Sequence, residues 1–208
     1  MPIAWAAGIG AWFVVCELLA RPRGRPRGAT GQPRLPGEVA RKLAHAGAAL
    51  AAALGVCWFD HRAFVWLGLA FAALMLLTIR LVPLAALADA QRSWGPVAFG
   101  LGGAATAALA PDRPAFVAAV LIMGLADTAA VAVGRTVGIR RLPGGKSLGG
   151  AIGFAVVAAV VLLIALPGRP LLAVGLAAVL ALVELFTPRG WDNLTVPAVA
   201  AAALLAAG

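Results

Sequence analysis

Hydrophobic residues in this chain come in long, nearly uninterrupted blocks, most of them about 16–20 residues long. Eight blocks can be marked: Ile3–Ala20, Leu43–Phe59, Ala63–Ile79, Gly95–Ala110, Ala115–Gly134, Leu148–Leu166, Leu171–Phe186 and Thr195–Ala207. A helix of about 20 apolar residues crosses the hydrocarbon core of a bilayer. The blocks are rich in Ala and Leu without period-two alternation, which favours helices over barrel strands. The pattern predicts an all-α polytopic transmembrane helix bundle of about seven or eight spans, and it leaves open whether the short last block spans fully.

Composition supports this prediction. The chain is 62% hydrophobic and 12% charged, whereas soluble domains are about half apolar and a quarter charged. We therefore expect residues 1–208 to form a single membrane domain. The net charge of +9 would suggest nucleic-acid binding in a soluble protein. In a membrane protein, cations determine the orientation of the chain and contact anionic lipid headgroups, so no nucleic-acid partner is expected. Residues 21–37, rich in Pro, Gly and Arg, are predicted to be a flexible basic segment.

The cations lie on one side when the eight blocks alternate across a membrane. Every Lys and Arg except Arg62, Arg113 and Arg169 falls in or beside loops 21–42, 80–94, 135–147 and 187–194. The positive-inside rule makes these loops cytoplasmic and leaves the N-terminus and the C-terminus on the outer side. The sequence thus predicts an integral protein of the bacterial inner membrane with its polar face toward the cytoplasm.

Two polar clusters on this face involve helix positions. Glu38, Arg41, Lys42 and His45 share one face of a helix at their spacing, either as an anchor at the membrane entry or as part of a site. Asp127 lies inside the fifth block. A carboxylate within a membrane helix is costly and normally faces the bundle interior or a water-filled cavity, so it marks a candidate functional residue.

A third cluster combines glycine, basic and hydroxyl residues before the sixth block: Arg135, Gly144, Gly145, Lys146 and Ser147. Backbone N–H groups at a helix N-terminus, with cations nearby, form an anion site for which phosphate is a natural ligand. The segment is not a Walker A loop, because Arg140 stands where that motif requires glycine. The alternative is a positive-inside loop without further function.

The fourth cluster contains Glu184, Asp192 and Asn193. Carboxylate and carboxamide oxygens suit Mg²⁺, which commonly also binds substrate phosphates. The alternative for Asp192 or Asn193 is simple capping of the last helix. With the basic loop and the membrane carboxylate, these groups indicate phosphoryl or nucleotidyl transfer assisted by a divalent metal. The second substrate is expected to be a lipid that arrives from the bilayer.

Four segments of the sequence, RKLAH, ADTAAVAVGRTVG, PGGKSLGGAIG and DNLTVP, resemble the phytol/farnesol kinase family. This family belongs to a wider group with CTP-dependent dolichol kinases and phosphatidate cytidylyltransferases. The resemblance covers about residues 38–197. It implies a multi-helix membrane enzyme that phosphorylates an isoprenoid alcohol of the phytol, geranylgeraniol or farnesol class, with CTP as donor and a divalent metal. The Gly-Gly-Lys-Ser segment favours the kinase branch over the cytidylyltransferases.

The resemblance and the four clusters together give a set of expected site residues. Those expected to be catalytic are Asp127, Lys146, Asp192 and His45. Those expected to bind the nucleotide are Arg135, Gly144, Gly145, Lys146, Ser147, Asn193, Arg41 and Lys42. The expected metal ligands are Asp127, Asp192 and Glu184. The general base, the alcohol and the oligomeric state, including a homo-oligomer, stay open.

Two other functions also stay open. One is CTP-dependent cytidylyl transfer to a phospholipid or an isoprenoid phosphate. The other is transport of a small anion, with Asp127 as a proton-coupling residue.

Overall fold

The computed structural model describes residues 2–20, 37–81, 94–137, 139–142 and 145–208. These residues are almost entirely helical. The helices are α1 (Pro2–Ala20), α2 (Gly37–Gly55), α3 (Ala63–Leu81), α4 (Gly95–Leu109), α5 (Arg113–Thr136), α6 (Leu148–Ala165), α7 (Pro170–Phe186) and α8 (Asp192–Ala207). The predicted all-α class is thereby confirmed for the described part of the chain. The segment 21–36, which holds most of the predicted flexible stretch, lies outside it.

Each hydrophobic block corresponds to one helix, and α2 differs most from its predicted bounds. It begins at Gly37, not Leu43, and ends at Gly55, not Phe59. The earlier start arises because the charged residues before the block continue the same helix. Phe59 instead lies in the turn that follows, where its ring contacts Trp5 of α1 at 5.3 Å between centroids.

Helix α5 forms the centre of the described structure. Its N-terminal half contributes the fully buried Phe116 and Ile122 to the largest apolar cluster. Helices α6, α7 and α8 add buried side chains to the same cluster, among them Phe154 and Leu180. Asp127, which lies further along α5, is also buried within the bundle.

Glycine allows helices α3 and α4 to pack closely. A Cβ atom on Gly100 would lie 2.6 Å from the backbone nitrogen of Ala72 and 2.7 Å from the carbonyl oxygen of Gly68. A Cβ atom on Gly68 would in turn lie 2.6 Å from the carbonyl oxygen of Gly100. Small residues of this kind permit close backbone approach between membrane helices, where van der Waals packing drives association.

Three helices, α1, α5 and α6, are long and apolar enough to cross a membrane. Segments of α3, α4, α7 and α8 are also apolar but shorter. Large apolar side chains point outward from several of these helices; Trp66, Ile164 and Leu171 are at least three-quarters exposed. Large exposed apolar surfaces mark interaction with a partner or a membrane. These features are typical of a membrane protein.

The glycine contact between α3 and α4 can be tested with Gly100→Val. We expect this variant to unfold at a lower temperature than the wild-type protein, since overpacking a tight contact costs about 1–3 kcal/mol. Thermal unfolding of the detergent-solubilised protein measures the effect. Gly175→Val is the matched control, because a Cβ at Gly175 of α7 would meet nothing within 4 Å. Equal unfolding temperatures for the two variants would contradict the close contact.

Candidate active site

A buried ion pair joins α2 to α5. The ammonium group of Lys42 contacts Oδ2 of Asp127, and both side chains are buried. His45, one turn further along α2, places its Nδ1 atom 3.8 Å from the same carboxylate oxygen. The charged face predicted for α2 therefore lies against the membrane carboxylate of α5, and the first two sequence clusters form a single unit.

A local widening of α5 precedes Asp127. Residues Ile122–Ala126 form a π-helical turn, a rare feature that is frequent at functional sites. Close packing occurs at Gly124, where a Cβ atom would clash with the side chain of Ala49 on α2. Thr128 donates a hydrogen bond to the carbonyl oxygen of Gly124 at 2.7 Å. The wide turn and the close approach of α2 together fix where the carboxylate of Asp127 lies.

Lys146 joins the third cluster to the fourth. Its ammonium nitrogen lies 2.8 Å from Oε1 of Glu184 and 3.0 Å from Oδ2 of Asp192. It also donates a hydrogen bond to the backbone carbonyl of Glu184. One cation thus connects the loop before α6 with the end of α7 and the start of α8.

A small turn in the loop before α6 holds Lys146 in place. The N–H of Leu142 donates to the carbonyl of Lys146 at 2.8 Å, and the N–H of Gly145 donates to the carbonyl of Leu142 at 3.0 Å. Gly145 has a φ of 80°, a left-handed conformation that glycine adopts at little cost. Arg189 donates to the carbonyl of Gly145 at 2.9 Å, which connects this turn to the loop before α8.

Three carboxylates from three helices meet at this position. Each carboxylate contributes one oxygen atom, and these three oxygens of Asp127, Glu184 and Asp192 lie within 4.8 Å of one another. The other oxygen of Asp192, Oδ1, accepts hydrogen bonds from the N–H groups of Gly190 and Asn193, both at 3.1 Å. Asp192 is thereby oriented by backbone N–H groups of neighbouring residues, and its Oδ2 atom contacts Lys146.

These groups line a cavity of about 590 Å³ between α2, α5, α6, α7 and α8. This volume is within the usual range of small-molecule sites. Among the described residues its charged lining consists of Arg41, Lys42, Arg135, Arg141, Lys146 and Arg189 with Asp127, Glu184 and Asp192. Six cations therefore surround three carboxylates, and the cavity as a whole favours an anion.

Most of the residues singled out from the sequence lie in this cavity. They are Arg41, Lys42, Asp127, Arg135, Gly145, Lys146, Ser147, Glu184 and Asp192. His45 does not line the cavity and lies behind Asp127, where its ring stacks on Phe99 with 4.6 Å between centroids. Gly144 and the side chain of Glu38 are outside the described residues.

Asn193 lies next to the cavity but points away from it. Its side-chain nitrogen donates a hydrogen bond to the carbonyl oxygen of Gly95 at 3.2 Å, and the residue is buried. This contact fastens the start of α8 to the start of α4. The structure thus shows Asn193 in a contact between helices, and its expected nucleotide contact stays a prediction.

The start of α6 offers fewer free backbone donors than the sequence suggested. Ser147 is the N-cap, and its hydroxyl oxygen accepts the N–H of Gly150 at 3.0 Å. The N–H of Leu148 donates to the carbonyl of Arg140 at 3.2 Å. Since two donors of this first turn are already satisfied, the side-chain cations are the main positive groups that the cavity offers.

Three features of the site were not identified from the sequence. Arg141 and Arg189 are not among the expected site residues, although Arg141 belongs to the basic segment before α6 and Arg189 lies between Glu184 and Asp192 in the sequence. Phe99 lies in an apolar block that carries no polar signal at all. The π-helical turn before Asp127 has no sequence pattern that would predict it.

Comparisons with protein-family models, with curated protein sequences and with solved structures found no match to this chain.

A double-mutant cycle can separate the structural role of the Lys42–Asp127 pair from its chemical role. Removing one partner of a buried ion pair costs about 3–5 kcal/mol, because the other charge stays buried, whereas replacing both by apolar residues is often neutral or stabilising. We expect Lys42→Met and Asp127→Leu each to lower the unfolding temperature. The double variant should recover wild-type stability but not function. A double variant less stable than both single variants would show that the pair is a structural requirement.

Proposed function

We propose that this chain is a CTP-dependent kinase that transfers a phosphoryl group to a membrane isoprenoid alcohol of the phytol, geranylgeraniol or farnesol class. One observation carries the proposal. Carboxylates from α5, α7 and α8 meet at Lys146 in a basic cavity, at the end of the bundle where α2 brings Lys42 and His45 to Asp127. The resemblance of the same segments to the phytol/farnesol kinase family supports the assignment of the substrates.

The charge of the cavity suits a nucleoside triphosphate. Arg41, Arg135, Arg141 and Arg189 surround the carboxylates, and arginine binds phosphate oxygens through paired N–H donors. The ion pairs of Lys146 hold its ammonium in the middle of the cavity. In the proposed complex this ammonium and Arg135 stabilise charge on the phosphoryl group in transfer, as fixed cations do in other phosphotransferases.

The carboxylate cluster fits a divalent metal. Two ligands on opposite sides of Mg²⁺ lie about 4 Å apart, and the oxygens of Asp127, Glu184 and Asp192 lie within 4.8 Å of one another. Carboxylates are hard donors of the type that Mg²⁺ prefers. Lys146 Nζ contacts two of them, so a positive charge is already stabilised at this point. If Mg²⁺ bound here, Asp127, Glu184 and Asp192 would hold it, and it would supply positive charge that stabilises the phosphate groups.

In the proposed reaction, the hydroxyl oxygen of the alcohol attacks the γ-phosphorus of CTP. A new O–P bond forms while the bond to the β–γ bridging oxygen breaks, CDP leaves, and the hydroxyl proton passes to a base of the protein. Asp127 and His45 are the candidates, because Asp127 lines the cavity and Nδ1 of His45 lies 3.8 Å from its carboxylate. Lys42 keeps Asp127 in place through the buried ion pair.

The proposed function requires the cavity to face the cytoplasm, where the nucleotide is. We propose that all eight helices cross or enter the inner membrane of a bacterium, with both termini on the outer side. The cavity residues come from the start of α2, the end of α5, the start of α6, the end of α7 and the start of α8. All five helix ends would lie at the cytoplasmic surface in this orientation, which agrees with the distribution of cations along the sequence.

The proposal can be tested by incubating purified protein with labelled CTP, Mg²⁺ and farnesol, geranylgeraniol or phytol. We expect the alcohol monophosphate and CDP as products. Asp192→Asn and Lys146→Ala should each lower kcat by about 10²-fold or more, because both remove groups that act on the transferring phosphoryl. Arg62→Gln, exposed beyond the opposite end of the bundle, is the control and should stay active.

Other results of this assay would contradict the proposal in different ways. A lipid product that carries the cytidine moiety would indicate a cytidylyltransferase. Near-normal activity of both Asp192→Asn and Lys146→Ala would show that the cavity is not the active site. Anion flux into vesicles without nucleotide would indicate a transporter.

Nucleotide binding can be measured without turnover. A ligand at 100 times its Kd stabilises the folded state by about 2.7 kcal/mol. We therefore expect CTP with Mg²⁺ to raise the unfolding temperature more than ATP, UTP or GTP does. Removal of Mg²⁺ with a chelator should reduce the shift, and Glu184→Gln should reduce the dependence on Mg²⁺. The same shift with all four nucleotides would contradict selection of CTP, and a shift unaffected by chelation would contradict the metal site.

A further inference from the structure

A second, apolar cleft lies deeper in the bundle, between α2, α3, α4 and α5. It has a volume of about 100 Å³, and its wall includes Ala48, Phe71, Phe99, Gly103, Phe116 and Met123. The lining is apolar throughout, in contrast to the charged cavity. An apolar cavity of about 150 Å³ can hold a benzene ring, so this cleft has room for about four or five carbon atoms, the size of one isoprene unit.

His45 lies at the boundary between the cleft and the charged cavity. Phe99 lines the cleft and stacks on the imidazole of His45 at 4.6 Å between centroids. On its other side His45 approaches Asp127, which lines the charged cavity. The Nδ1 atom of His45 faces Asp127 at 3.8 Å, and it is buried without a hydrogen bond within the described residues. A buried polar atom without a partner is costly and indicates a missing ligand or water.

Glycines around the cleft differ in what they contact. Gly68 and Gly100 are fixed by the close packing of α3 against α4. Gly103 also lines the cleft, yet a Cβ atom there would meet nothing within 4 Å. Glycine inside a helix costs about 1 kcal/mol relative to alanine. Packing between helices does not require glycine at position 103, and a larger side chain has room at this point of the cleft wall.

We propose that this cleft binds the hydroxyl-proximal hydrocarbon segment of the substrate alcohol, with the hydroxyl group directed toward His45. The proposal rests on the proposed kinase function. The volume of the cleft suits about one isoprene unit of a single chain, and His45 is buried, so there is little room beside it for a head group larger than a hydroxyl. A single-chain lipid alcohol matches both limits, whereas a phospholipid with two acyl chains matches neither.

The test compares Gly103→Leu with Gly175→Leu in full-length protein reconstituted into phosphatidylcholine nanodiscs. A leucine at position 103 adds four carbon atoms at the wall of the cleft, whereas Gly175 belongs to α7, which does not line the cleft. We expect Gly103→Leu to weaken the binding of radiolabelled farnesol and to raise the KM for isoprenoid alcohols, each by tenfold or more. The stabilisation by nucleotide should be unchanged. Gly175→Leu should match the wild type in all three measurements.

Gly103→Ala covers the case in which Gly103→Leu does not fold. Its single methyl group should give a smaller increase in KM than leucine, with normal thermal unfolding. Wild-type binding of farnesol by both Gly103 variants would overturn the proposal, as would a wild-type protein that does not bind farnesol.

The two proposals can fail separately. If the wild-type protein binds farnesol, Gly103→Leu does not, and no nucleotide supports phosphoryl transfer, the cleft is correct and the kinase function is wrong. If phosphoryl transfer occurs and Gly103→Leu keeps the wild-type KM, the function is correct and the cleft holds bulk lipid instead of substrate.

Discussion

The ion pair between Lys42 and Asp127 is the interaction on which the rest of the site depends. It joins α2 to the central helix α5 inside the bundle. Two buried charges contribute little net stability, because the loss of hydration offsets much of their attraction, and apolar residues of similar size would often serve the fold as well. The presence of the pair in a chain so rich in Ala and Leu is therefore better explained by chemistry than by stability.

Lys146 connects α6, α7 and α8 in the way that Lys42 connects α2 to α5. Its loop precedes α6, and its ammonium contacts acidic groups of α7 and α8. Arg189 donates back to the turn that carries Lys146. A change in the position of this lysine, such as one caused by the proposed nucleotide, would alter side-chain contacts at three helix ends at once. The cavity is thus held by side-chain contacts between helix ends more than by the apolar core.

Polarity changes along α2 and α5 over a short distance. At one end Arg41 and Arg135 line a charged cavity, and further along the same helices Ala48 and Met123 line an apolar cleft. His45 and Phe99 lie between the two. An amphiphilic substrate with a small polar end matches this order, since each part of it would meet a surface of its own polarity.

The sequence by itself determined the helices and most of the candidate residues. Long apolar blocks specify helices through hydrophobicity alone, so all eight were predicted to within about two turns. Asp127 stood out because a carboxylate is costly in such a block. Local patterns also identified Lys146, Glu184 and Asp192 as candidates, although they gave no distances between them.

Only the tertiary structure decided which of these groups meet. Lys42 and Asp127 are separated by 85 positions in the chain, and no local pattern specifies that they form a pair. The side-chain direction of Asn193, the π-helical turn before Asp127 and the stacking of Phe99 on His45 likewise follow from packing between helices. Apolar packing in a helix bundle depends on the shapes of many small side chains together, and a single sequence does not reveal how those shapes combine.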